Sequence, residues 1–456
     1  MNKPKIVIVG GGLTGCNLAQ QLDNVADVVV LEKKKTYYNN VGSLRAVVYP
    51  EFVNNLFVPY KNALKHGKFV QAEVEEVREN EIKIRGLDTP MKFDYCIISV
   101  GSIYNFPGRV PWWIGNLACK KMFNDCNAKL AKADRITIIG GGAVAIELCG
   151  EILDEFPYKN VTIIHSGKYL MSKQGLGEKI GRHVQTKLEA MGCHIILDET
   201  IVLEDDDELV KSQANLNVSL TIPSTNEGNE EMEGEKKASE IVKKFTSKFL
   251  HEGERELKSK SGKTYKTDLT FFCTGSSFPC EVYEKNFMLS KNYRCRTDNY
   301  LRALNSRGQC VPNVFVAGDC AGTPSNDGEG DCATLTFGLA HVEVIVKNIK
   351  KCIKVGSNTG FQLPKEYVAP PPIICVSTGR YGGVAGQGTK NGDGKLLFNF
   401  CGMNNYISKT LKSTHLYTDG THKLFKAGKP KPLEVPRPKK THIKSAKVQP
   451  SKQYEV

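Results

Sequence analysis

The sequence predicts an α/β chain built from two dinucleotide-binding, Rossmann-like domains, the second inserted in the first, with a C-terminal α+β cap. Three observations carry that prediction. A strand, glycine turn, helix and strand open the chain. A second copy of that unit begins near Arg135. A late strand, Val314-Phe-Val-Ala-Gly318-Asp319, ends on an aspartate.

In the first unit, Lys5 to Val9 reads as a buried strand, Gly10-Gly-Gly-Leu-Thr-Gly15 as a turn entering a helix through Leu22, and Val28 to Leu31 as the next strand, closing on Glu32. Gly10, Gly12 and Gly15 keep GxGxxG spacing. The first glycine allows the tight turn, the second lets a pyrophosphate approach the backbone, and the third lets helix and strand pack closely. The phosphates are then left on helix N–H groups. Glu32 stands where a carboxylate accepts hydrogen bonds from ribose hydroxyls.

The second unit repeats the pattern with the strand Arg135 to Ile139, the turn carrying Gly140, Gly142 and Ala145, a helix from Ile146 to about Phe156, and the strand Val161 to Ile164. It ends on His165 instead of a carboxylate, so nothing there repels a 2′-phosphate, and Lys168 is close enough in sequence to meet one. NADH and NADPH therefore both remain open. Further strands at 83–85, 93–100, 270–273 and 314–317 suggest that the chain leaves the first domain, builds the second and returns. The expected boundaries are 1–118 and 268–345 for the first domain, 119–267 for the second, 346–420 for the cap and 421–456 for a tail. Gly101 and Gly275 close strands, and Gly318-Asp319 places an acid at a strand's carboxyl end, where ligands of open α/β sheets bind. In this order the signals form the pattern of two-dinucleotide flavoproteins, with Asp319 on the ribityl chain of FAD.

Length and composition describe a globular chain with enough material for two or three packed cores, which excludes a single small binding module. The 456 residues are 40% apolar and 24% charged, with a formal net charge of +13, and the mean hydropathy is −0.31. No stretch approaches the roughly 20 apolar residues of a membrane-spanning helix. The amino terminus runs straight into a strand, so no signal or transit peptide is expected. The 15 cysteines include no CxxC, which reads as reduced thiols in a cytoplasmic compartment, with no structural metal. Residues 204–240 hold 11 acidic residues against three lysines, a charge of −8, and read as a low-complexity insertion within 204–250. Residues 421–456 hold 10 basic residues against two acidic ones, +8, with five prolines. This tail is a candidate for peripheral contact with an anionic membrane. The basic balance also permits nucleic acid, but no nucleic-acid motif appears and the tail lacks interleaved aromatics.

The chain resembles the FAD-dependent pyridine-nucleotide oxidoreductases, and within them the ferroptosis-suppressor branch of the apoptosis-inducing-factor family (the AMID-like NADH dehydrogenases), relatives of type II NADH dehydrogenases. The resemblance runs from about Lys5 to Tyr417. It rests on the two glycine turns, Asn40-Val-Gly-Ser-Leu-Arg-Ala46, Gly101-Ser102 with Phe106-Pro-Gly108, and Val311-Pro-Asn-Val-Phe-Val-Ala-Gly-Asp319. Tyr367-Val-Ala-Pro370 and Ser377-Thr-Gly-Arg-Tyr-Gly-Gly-Val384 belong to the branch. It implies hydride transfer from NADH or NADPH to FAD and then to a quinone-type acceptor. Residues 39–50 hold no cysteine, and from Arg135 to residue 267 the second domain has only Cys149 and Cys193, isolated in sequence, so transfer without a redox-active disulfide is expected. The resemblance further implies that Glu147 lies beside nicotinamide and flavin and that Lys412 sits near the flavin. Arg45 would contact the flavin or form an ion pair. Two other readings remain: a signalling or nucleic-acid-binding flavoprotein, and a ferredoxin- or rubredoxin-type reductase.

Overall fold

The computed structural model describes residues 3–202 and 250–401, apart from 113, 358, 361, 381 and 390–393. The acidic stretch 204–240, Lys412 and the basic tail lie outside the described residues.

Along the chain the first unit supplies β1 (Lys5–Val9), α1 (Leu13–Leu22), β2 (Asp27–Glu32), α2 (Ser43–Val48), β3 (Lys68–Gln71) and β4 (Tyr95–Ile98). The helix α3 (Asn116–Lys132) leads to the second unit, with β5 (Arg135–Ile139), α4 (Ala143–Glu155), β6 (Asn160–Ile164), α5 (Glu178–Ala190), β7 (His194–Ile196), β8 (Leu250–Lys258) and β9 (Thr264–Phe272). The chain then returns through β10 (Arg302–Leu304), β11 (Cys310–Val316) and α6 (Leu335–Val355), and adds the strands β12 (Ile373–Ser377), β13 (Gly382–Gln387) and β14 (Lys395–Cys401).

The first sheet has the order β10–β11–β4–β1–β2–β3, so its strands come from both sides of the second unit in sequence. All its pairings are parallel except the edge pair β10–β11. The second sheet runs β7–β6–β5–β9–β8, and β12, β13 and β14 form a third, antiparallel sheet. The first sheet is covered on both faces, which is why β1 reads KIVIV. Ile6 and Ile8 enter one core with Leu18, Leu22 and Ile345, whereas Val7 and Val9 enter another with Val74 and Ile82.

The return to the first domain was expected at 268, but Leu269 to Phe272 pair with Ile136 to Ile139, so β9 belongs wholly to the second sheet. The strand continues because its apolar run Leu269, Phe271 and Phe272 fills the second unit's core. That core also runs into the first unit: Leu44, Val47, Phe52 and Val53 pack in one cluster with Ile146, Leu148 and Ile152. The seam between α2 and α4 is thus packed as an interior, a setting in which an unpaired charge is costly.

Candidate cofactor and active site

The first glycine turn is shaped by sterics. Gly10 donates its amide to the Leu31 carbonyl at 2.9 Å and has φ +106°, and a Cβ there would lie 2.4 Å from the Ser99 carbonyl oxygen. Only glycine fits. Gly12, at the N-terminus of α1, is extended (φ −70°), and a Cβ on it would meet nothing within 4 Å. A hypothetical Cβ on Gly15 would lie 2.0 Å from the Gly10 carbonyl oxygen, which explains the third glycine as close helix–strand packing. Beside this turn Glu32 is 6% exposed. It accepts the Gly11 amide at 2.6 Å and the Lys34 amide at 2.9 Å. Burial pushes the Glu32 carboxyl up, but the Lys34 charge and the two amides outweigh it and hold the group below its ordinary value. Across the turn, Ser102 Oγ donates to Asp319 Oδ2 at 2.5 Å. The open space at Gly12, the helix N–H groups, an ionised carboxylate for ribose and Asp319 for a polyol chain suit FAD.

The second turn repeats the geometry. Gly140 donates to the Ile164 carbonyl at 2.8 Å, with φ +116° and a hypothetical Cβ 2.2 Å from the Cys273 carbonyl oxygen. Gly142 is the extended residue at the N-terminus of α4, and Ala145 is buried inside the helix. His165 takes the place of Glu32: a Cβ on Gly141 would lie 2.5 Å from its ring, as one on Gly11 would lie 3.1 Å from Glu32 Cβ. The imidazole Nε2 is 3.2 Å from Ser172 Oγ. Burial, aided by the Lys173 charge, pushes its pKa down, so this cradle holds no anion where the first holds one. Lys168 is exposed nearby. Beyond Gly101 and Gly275, Ile103–Tyr104 pairs antiparallel with Ser276–Ser277, tying the outgoing and returning crossings together.

One side of α4 carries four carboxyl groups, which meet α2, Tyr49, β12 and Arg380. Glu147 is 7% exposed and accepts the Ser377 amide of β12 at 3.0 Å. Glu151 is held by Arg45 of α2, with Nη2 at 2.8 Å and Nε at 3.1 Å. Asp154 accepts the Arg380 amide at 2.5 Å. Glu155 takes the Arg380 guanidinium at 2.5 Å and the Tyr49 hydroxyl. Arg45, expected on the flavin or in an ion pair, forms an ion pair with Glu151, with its guanidinium fully buried. Burial first, and the Glu151 charge further, push Glu147 up to about 7 against the Ser377 amide. Burial likewise pushes Asp154 up to about 6. Four carboxyls facing two guanidiniums balance when Glu147 and Asp154 hold protons. Sequence reasoning singled out Glu147 and missed the others, although Glu147, Glu151 and Asp154 recur at helical spacing on an otherwise apolar helix.

Cys149 and Cys193, isolated in sequence, share a hydrogen bond in the fold. Both are buried free thiols, and burial pushes Cys149 well above its ordinary value, the opposite of an activated thiolate. Among the described residues no His, Cys, Asp or Glu group is arranged to hold a metal ion, and no helix is long and apolar enough to cross a membrane.

Residues 4–230 match the family described as pyridine nucleotide-disulphide oxidoreductase. The chain is similar to apoptosis-inducing factor homolog A of Dictyostelium discoideum, at 26% identity over 95% of this chain and 94% of that one. It is also similar to ferroptosis suppressor protein 1 of Homo sapiens, at 25% identity over 83% of this chain and 87% of that one. Among solved structures it is similar to a water-forming NADH oxidase from Lactobacillus brevis bound to NADH, with TM-score 0.52, 16% identity and coverage of 84% and 75%. That last likeness is one of fold.

Proposed function

We propose, from the match of residues 4–230 to the pyridine nucleotide-disulphide oxidoreductase family, that this chain is an FAD-dependent NAD(P)H oxidoreductase whose acceptor is a quinone-type molecule, working without a redox-active disulfide. The observation that carries the reading is the place of Glu147, a buried carboxyl in the second turn of α4, the helix that starts at the second glycine turn and packs on α2 of the first unit. The similarity to a ferroptosis suppressor protein over most of the chain supports the acceptor class. The raised Cys149 thiol supports transfer that bypasses thiols. When bound, FAD supplies two-electron transfer between nicotinamide and acceptor. The chain binds it through the Gly10 to Gly15 turn, Glu32 and Asp319. It binds the nicotinamide coenzyme through the Gly140 to Ala145 turn, and Glu147 orients the nicotinamide edge while holding a proton at its carboxyl. Lys412, outside the described residues, is assigned a place near the flavin.

The test is spectral and kinetic. Purified protein, reconstituted with FAD, should show flavin absorbance and oxidise NADH or NADPH with soluble quinones; a protein that stays colourless sinks the reading. Gly12→Val sharpens it. The extended backbone and open space at Gly12 let the apo variant fold normally, while its side chain fills the pyrophosphate cradle. Unchanged apo stability with FAD binding lost by at least about a hundredfold is expected from the blocked phosphate contacts. The coenzyme has its own test. His165→Asp places a carboxylate where a 2′-phosphate would lie, and juxtaposed like charges cost several kcal/mol. NADPH use should fall at least about tenfold relative to NADH; an unchanged ratio places the adenosine ribose elsewhere.

A further inference from the structure

The turn that carries Asp319 is held from behind by a buried polar network that no step above uses. Gly318 donates its amide to Nδ1 of His341 at 3.0 Å. His341 lies on α6 and is 1% exposed. Because Nδ1 accepts a hydrogen bond, it carries no proton, and the imidazole proton resides on Nε2. That nitrogen faces Asp331 Oδ2 at 3.6 Å, beyond hydrogen-bond reach. Asp331 is fixed in turn. The Tyr367 hydroxyl donates to its Oδ2 at 2.7 Å and the Thr323 hydroxyl at 2.9 Å, while Arg294 Nη1 holds the Asp331 carbonyl at 2.6 Å. The Tyr367 ring meets the imidazole edge-on, with centroids 4.7 Å apart.

Tyr367 is placed by the backbone. Its amide donates to the Asn299 carbonyl at 2.7 Å. Two residues earlier, Lys365 exchanges two hydrogen bonds with the fully buried Asn348 of α6, at 2.8 and 3.1 Å. The segment around Tyr367-Val-Ala-Pro370 is therefore strapped across α6, and its tyrosine reaches the carboxylate that faces His341. This gives a physical role to a motif for which the flavin and nicotinamide cradles leave no use.

We propose that His341 is the positioning residue of the FAD site: it fixes the Gly318 amide, and so the Asp319 carboxylate one residue on, while the Tyr367 ring packs against its imidazole and the Asp331 carboxylate faces its Nε2. The proposal rests on the reading that Asp319 meets FAD. A rotated imidazole would leave the Gly318 amide without its acceptor, and the turn would open several geometries to Asp319. FAD would then have to select one of them and would bind more weakly.

Three substitutions separate the parts. His341→Asn keeps an acceptor near the place of Nδ1 and gives up the reach toward Asp331. His341→Gln does the reverse, and His341→Leu keeps neither. FAD is titrated into stripped, full-length protein by flavin fluorescence, and apo stability is read by urea unfolding. We expect His341→Asn to bind FAD within about threefold of wild type, and His341→Gln and His341→Leu to bind at least about tenfold more weakly, with Tyr367→Phe in between. A merely structural histidine would instead move FAD affinity and apo stability together across the three variants. Equal FAD affinity in the Asn and Leu variants, or wild-type affinity in the Gln variant, overturns the proposal. If His341→Leu does not fold, the Asn–Gln comparison together with Tyr367→Phe decides. A wild-type protein that binds no FAD overturns the cofactor reading itself, and the assignment of His341 with it.

Discussion

Arg45→Met should destabilise the FAD-free protein by about 3–5 kcal/mol, the cost of stranding one charge of a buried pair. The guanidinium is wholly buried and spans both oxygens of Glu151, and the walls of the seam are apolar. Removing it leaves Glu151 to be protonated, or to draw water into a packed core. The double variant Arg45→Met, Glu151→Leu should recover most of the loss, because two well-packed apolar groups often equal or exceed a buried ion pair. Urea unfolding of apo protein measures both. The pattern also separates the two roles weighed for Arg45. A flavin contact would show its loss in FAD affinity, leave apo stability near wild type, and gain nothing from the second substitution.

The sequence reveals most where geometry is local. Gly10 and Gly140 are forced by a positive φ and a carbonyl in the way, constraints set within one strand–turn–helix unit, so spacing alone reveals both cradles. Glu32 and His165 follow because the next strand must end beside the turn. The seam is different. Arg45 and Glu151 are 106 residues apart, and their pairing follows from how α2 docks on α4, which no local pattern encodes. The thiols of Cys149 and Cys193 meet for a similar reason: the end of α5 returns beside α4. His341 and Asp331 carry no spacing signal at all. Tyr367 was visible only as part of a branch motif, and its role emerged when the strap across α6 was in place.

Glu147→Gln should make the protein more stable at pH 8 and poorer at its reaction. Glu147 is raised to about 7 from an ordinary 4.5, chiefly by burial, with Glu151 adding to the shift and the Ser377 amide and Arg45 opposing it. Between those two values the native state binds more protons than the unfolded one, so stability falls as pH rises through that window. The shift corresponds to about 3 kcal/mol lost by pH 8. Glutamine keeps an oxygen for the Ser377 amide and carries no charge, so it escapes that loss. Asp154, raised to about 6, falls in the same direction in both proteins and cancels in the comparison. Urea unfolding of apo protein should therefore show the variant ahead by about 2–3 kcal/mol at pH 8 and level with wild type near pH 5. A variant less stable than wild type at pH 8 would mean that Glu147 is ionised and well paired in the native state. In FAD-loaded protein the same substitution should slow reduction by the nicotinamide coenzyme while FAD is retained. Instability at a carboxyl with a working role is the usual form of the trade between stability and activity. If reduction is as fast as in wild type, the buried acid is a cost of packing at the seam and has no part in the chemistry.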